Sequence, residues 1–171
     1  MKNTFRIIPL LFVALVAGCS QVTNAIDSFL TFNDERTFDL PFPKLTPVGI
    51  ALPASFPLSP DSATLAKNKT GLSLLKTAKL TKLTFTFSDP TYTMQSVDTM
   101  YLQVTNPTLG VVDLASYSHS VDSMRMTNND FGKFVKDTGS HFIVTFKLLA
   151  APNSDIVAHS DAVITYTASP L

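Results

Sequence analysis

The sequence predicts an all-β protein, an antiparallel β-sandwich of Ig-like or jelly-roll-like kind carrying two short helical turns. Three observations predict it. Thirteen Phe and many Thr suit a pleated, half-buried surface. Several short stretches alternate apolar and polar residues with a period of two, punctuated by Asn, Asp and Pro. No helical stretch of the length a parallel crossover needs lies between them.

Taken in order, residues 29–32 and 37–40 are minor strand candidates separated by an Asn33-Asp34 turn. The run 40–60 holds six of the eleven prolines, Pro41, Pro43, Pro47, Pro53, Pro57 and Pro60. Proline cannot donate into a central ladder. Phe42, Leu45, Val48, Ile50, Leu52, Phe56 and Leu58 make the run too apolar for a free linker. It is expected to lie over an open end or edge of the sandwich and to blunt edge pairing. A helical turn is expected from Thr70 or Gly71 through Leu72, Leu74, Leu75 and Ala78.

The clearest strand is 79–88, with Leu83, Phe85 and Phe87 on one face and Lys82, Thr84 and Thr86 on the other. Strand 98–105 sets Met100, Leu102 and Val104 against Tyr101 and Gln103 and stops at Asn106-Pro107. Residues 111–116 and 121–126 are minor strands. Asn129 or Asp130 is placed to cap a second helical turn over Phe131, Phe134 and Val135. Strand 141–149 alternates Phe142, Val144, Phe146 and Leu148 with Ile143, Thr145 and Lys147. Strand 158–167 sets Ala162, Ile164 and Tyr166 against Val163, Thr165 and Thr167.

Composition bounds the function. The chain has 171 residues, 45% apolar and 15% charged, with 13 basic against 13 acidic residues. Disorder needs low hydrophobicity with high net charge, so an ordinary apolar content and zero net charge exclude a disordered chain, and the balance leaves no field to attract nucleic acid. The length suits one domain with a sizeable core.

The N-terminus carries an address. Lys2 and Arg6 precede an apolar stretch from Ile7 to Ala17, broken only by Pro9 and followed by Gly18-Cys19. That stretch covers about half of a ~30 Å hydrocarbon core, so it reads as a signal-peptide core and not a spanning helix. The pattern resembles the lipobox of bacterial lipoproteins, in which the cysteine is acylated and becomes the mature N-terminus. The alternative is ordinary secretion, with Cys19 an incidental thiol. Cys19 is the sole cysteine, so no intramolecular disulfide competes for it, and two or more acyl chains anchor stably where one does not.

The resemblance divides the chain into a signal peptide 1–18, an acylated N-terminus and short tether 19–27, and one β-sandwich domain 28–171. Without residues 1–18, 11 basic residues face 13 acidic. By resemblance to lipoprotein sorting, Ser20 differs from the aspartate that retains a lipoprotein in the inner membrane. Residues 20–24 also lack the acidic cluster that marks surface export. The expected place is the outer membrane, facing the periplasm, with the cell surface as the other option. Farther on, strand 79–86, strand 100–104 and the turn near Asp130 are similar to small exported β-sandwich lipoproteins of Bacteroidetes-type bacteria. That similarity implies a fold and no activity.

Chemistry-bearing clusters are sparse. His119 lies between Ser118 and Ser120 near Asp113 and Asp122, which are triad residue types, but without a nucleophile elbow. His119, His141 and His159 lack metal-ligand spacing. Asn128-Asn129-Asp130 and Asn33-Asp34-Glu35 offer oxygens of the kind calcium accepts, yet complete no loop pattern and suit turns. Glu35 is the only glutamate, so paired carboxylates for glycoside hydrolysis are poorly supported. There is no Trp and only four Tyr, which disfavours sugar stacking. Tyr101 and Tyr117 are more suited to packing.

Asp61-Ser62-Ala63, Asp98-Thr99-Met100 and Asp122-Ser123-Met124 resemble the O-glycosylation acceptor pattern of Bacteroidetes. Ser62 is the most accessible candidate. The expected function is a membrane-anchored envelope lipoprotein with a structural or binding role, and no catalytic, metal or cofactor residues. Its expected partners are the membrane, through its lipid, and an envelope protein or glycan. A carrier of a lipid or other hydrophobic ligand, and an envelope hydrolase, are the alternatives.

Overall fold

The computed structural model describes residues 30–58, 60 and 62–169. The elements run β1 (Thr31–Phe42), β2 (Ala51–Pro57), α1 (Ser62–Lys67), β3 (Leu75–Phe87), β4 (Val97–Asn106), β5 (Gly110–Ser118), β6 (Ser123–Met126), α2 (Gly132–Val135), β7 (His141–Leu148) and β8 (Ile156–Ala168). Two antiparallel sheets face each other, one ordered β1-β8-β3 and the other β2-β7-β4-β5-β6. First pairs with last, second with seventh, and fourth with fifth. This nesting is the jelly-roll arrangement, with the difference that β6 stays on β5 instead of closing onto β3.

Alternation sets what each sheet buries. Along β7 every second residue is buried, and Met100, Leu102 and Val104 do the same on β4. Between the sheets the rings interlock at edge-to-face distances that aromatic pairs favour. Phe38 meets Phe142 at 5.7 Å, Phe42 meets Phe146 at 5.5 Å, and Phe85 meets Phe146 at 5.2 Å. Side chains therefore fill the interior.

The structure corrects several expectations. Residues 29–32 and 37–40 are not two strands around a turn: Asn33-Asp34 lies within one continuous β1, paired to β8 from Thr31 to Phe42. Phe29 itself is outside the described residues. The proline-rich run does lie at an edge, but part of it is a regular strand, β2 on β7. Pro53 and Pro57 have no N–H to give β7, so their nitrogens take the free side of β2. The outer edge is thereby stripped of half its donors.

The helical turn expected through Ala78 is only a 3-10 turn, Leu72–Leu74, and β3 begins at Leu75. There Leu75, Ala78 and Leu80 are buried against the opposite sheet. Their spacing mimics a helix because an irregularity between Leu75 and Thr77 shifts the parity, and a second, between Leu80 and Lys82, shifts it again. Beyond the second, Leu83, Phe85 and Phe87 face inward as expected, while Lys82, Thr84 and Thr86 are exposed. The second helical turn stands at α2. Val121 belongs to the turn before β6.

Register fixes the two ends of the sandwich. The start of β1, the start of β3 and the finish of β8 lie together. Phe131 N donates to Ala78 O at 2.9 Å, bringing the segment before α2 to this Thr31 end. At the opposite, Phe42 end lie the loops 43–50, 88–96, 119–122 and 149–155. Gly49 N donates there to Leu148 O at 2.9 Å, and His119 N to Asp98 O at 2.8 Å.

Candidate functional site

The Phe42 end carries an apolar tip held by hydrogen bonds. Pro43 O accepts from Thr46 N at 3.0 Å and from Thr46 Oγ1 at 2.5 Å, closing a turn around Lys44 and Leu45. Lys44 N donates to Asp155 Oδ1 at 2.6 Å and Leu45 N to Pro152 O at 3.3 Å. These bonds hold Leu45 at φ +66°, a left-handed conformation uncommon for a branched side chain. Gly49, at φ +70°, supplies the other reversal, which glycine adopts without a steric penalty.

The result puts aliphatic groups outside. Leu45 is 74% exposed, Ile50 56%, Val48 48% and Leu149 47%. The Gly49–Leu148 and Leu45–Pro152 backbone bonds bring the loop that carries Leu45, Val48 and Ile50 against the loop that begins at Leu149. An open apolar pocket of about 270 Å³ adjoins them, lined by Leu40, Phe42, Thr46, Leu52, Pro53 and Ala54 between β1 and the edge strand β2. It is smaller than the 300–1,000 Å³ usual for ligand sites and suits one aliphatic group. The loop is secured to its neighbours, since Tyr92 OH donates to Ala150 O at 2.6 Å. Burial pushes the Tyr92 phenol above its ordinary pKa.

Among the described residues the candidate catalytic and metal-ligating side chains do not converge. His119 sits in the exposed β5–β6 turn, His141 opens β7, and His159 lies on the outer face of the three-stranded sheet with Nδ1 2.7 Å from Asp39 Oδ1. The Asp113 carboxylate accepts from Gln103 Nε2 at 2.7 Å. Asp122 accepts from Tyr117 OH at 3.0 Å, a contact that, after burial, raises the Tyr117 pKa. Among the described residues no three His, Cys, Asp or Glu side chains gather to hold a metal.

Asn33, Asp34 and Glu35 alternate across β1 and share no loop. The N-cap of α2 is Phe131 and not Asn129 or Asp130; Asp130 instead ties α2 to β3, its Oδ1 accepting from Gly132 N and from Ala78 N, each at 2.9 Å. Asn129 Nδ2 donates to Asp113 O at 2.9 Å. Tyr117 is buried, whereas Tyr101 is 46% exposed on the outer face of the five-stranded sheet.

The three Asp-Ser/Thr sites differ in access. Ser62 is exposed at the start of α1 and Ser123 is exposed at the start of β6. Thr99 lies in β4, paired on both sides to Ser118 and Lys147. Cys19, the signal 1–18 and the tether 19–27 fall outside the described residues. Among the described residues no helix is long and apolar enough to cross a membrane.

In the sequence, Leu45, Val48 and Ile50 stand out only as apolar residues that need cover. Their exposure follows from turn geometry at Leu45 and Gly49, which composition does not encode. The chain matches no protein-family model, no curated protein and no solved structure.

Proposed function

We propose that the protein is a cell-envelope lipoprotein, acylated at Cys19 and held at the outer membrane facing the periplasm, that binds a partner through its Phe42 end. Catalysis plays no part in this reading. The charge–apolar–Gly18-Cys19 order supports the anchor. The observation that carries the binding role is the placement of the ends. The described chain enters at Leu30, whose carbonyl accepts from Ala168 N at 3.2 Å, at the Thr31 end. The exposed Leu45, Val48, Ile50 and Leu149 lie at the other. A domain tethered at one end presents the aliphatic tip away from its point of attachment, and exposed apolar clusters mark contact sites.

Photo-crosslinkers placed at Leu45 and at Thr84 in the native envelope test this. Adducts from position 45 and none from the outer sheet face at 84 are expected. Equal labelling at both positions overturns the tip as the binding surface. The pocket of about 270 Å³ favours a second reading, carriage of a small hydrophobic ligand. The aromatic contacts across the interior confine such a guest to the β1–β2 edge.

A further inference from the structure

Strand β1 departs from its own alternation. Its inward positions are apolar at Phe32, Phe38, Leu40 and Phe42, but Asp34 and Arg36 take two of them, and Asp34 is 5% exposed. Arg36 Nε donates to Asp34 Oδ2 at 2.7 Å. From α1, Thr64 Oγ1 stands 3.5 Å from Asp34 Oδ1. Across from them on β8, Tyr166 is wholly buried, its ring 5.4 Å from that of Phe32. Among the described residues the Tyr166 hydroxyl has no hydrogen-bond partner.

Tyr166 pairs with Phe32 and Ile164 with Asp34, so Tyr166 and Asp34 are diagonal neighbours on one inner face, within reach of an aromatic side chain. Burial first, and then the Asp34 charge, hold the phenol in its neutral form. The large majority of buried hydroxyls in native proteins are bonded to protein or to ordered water.

The surrounding charges limit what the partner is. The carboxylate repels an anion, and the guanidinium beside it repels a cation. A neutral group that both donates and accepts fits Asp34, Thr64 and the phenol together. We propose that this cluster beneath α1 holds one hydroxyl oxygen, supplied by water or by a small polyol. Such an oxygen bridges Tyr166 to Asp34 and satisfies the buried hydroxyl. The proposal is independent of the lipid anchor and of the Phe42 end.

The test compares the full-length protein in detergent with Tyr166→Phe and Asp34→Asn. Water-oxygen relaxation dispersion counts long-lived internal waters, and glycerol serves as the polyol probe. If water is the guest, the wild type carries one more long-lived water than Tyr166→Phe. If a polyol is the guest, glycerol raises the wild-type denaturation midpoint saturably, and Tyr166→Phe loses that response. Equal water counts together with equal glycerol responses overturn the proposal, whatever the stability change. Should Asp34→Asn fail to fold, Tyr166→Phe alone decides, because it removes one oxygen and no packing.

Discussion

The backbone of Gly132 lies against that of Lys76: a Cβ on Gly132 would come within 2.9 Å of the Lys76 carbonyl oxygen and 3.0 Å of Thr77 Cα. The approach is built by Asp130, which bonds Ala78 N and Gly132 N at once, and it docks Phe131 into the core beside Phe142. The obstruction is backbone, which has no rotamer to change. Gly132→Ala is therefore expected to lower stability by about 1–3 kcal/mol, the range for overpacking, read as a shift in the urea midpoint. An unchanged midpoint would mean that α2 is not pressed on β3.

Strand faces should differ in what truncation does. Phe146 is fully buried between Phe42 and Phe85, and Phe146→Ala should cost about 3–5 kcal/mol. Phe85 is half-buried, so Phe85→Ala should fall below that. Thr84→Ala and Thr86→Ala, on the exposed face, should stay within roughly 1 kcal/mol. Chemical denaturation of the four variants checks the order.

These two predictions also show how far the sequence was legible. Alternation identified β4, β7, β8 and the second half of β3, because half-buried strands leave a period of two. β1 read as two pieces because Asp34 and Arg36 put charge on its inward face, where the pattern calls for apolar residues. β2 was hidden by Pro53 and Pro57, which are tolerated only because one side of that strand is unpaired. The first half of β3 looked helical because the irregularity at Leu75/Thr77 resets parity. The apolar tip was illegible, since it depends on a left-handed Leu45 held by Pro152 and Thr46.

The tip carries a strain that glycine should relieve. Leu45→Gly removes a side chain held at φ +66° with 74% of its surface in water. Stability should rise by up to about 1 kcal/mol, the left-handed penalty less the entropy glycine adds to the unfolded chain. Crosslinking at Ile50 in the same variant should weaken. A fall in thermal midpoint would show that Leu45 packs instead of projecting.

Alkali should unfold the protein in a tyrosine-dependent way. Burial raises the phenol pKa of Tyr92, Tyr117 and Tyr166 above 10. A raised folded pKa gives stability that is complete below about pH 10, the unfolded value. It is lost as pH climbs toward the folded pKa, because the unfolded chain releases the proton first. Phenolate absorbance from these rings should therefore rise together with loss of the β-type circular dichroism signal. Tyr166→Phe should flatten the slope of stability against pH above 10. An equal slope would remove Tyr166 from the effect.

Membrane attachment of Cys19→Ala tests the central claim most directly. Wild type and variant, expressed in the native envelope, are separated into membrane and soluble fractions after a carbonate wash. Two or more acyl chains on Cys19 hold the wild type in the membrane fraction. With the thiol gone no acyl chain can be added, and the signal core spans only about half the bilayer. The lipoprotein account predicts that the wild type stays with the membrane and enters the detergent phase, while Cys19→Ala washes off as soluble or uncleaved protein. A Cys19→Ala protein that remains with the washed membranes as fully as the wild type would contradict it.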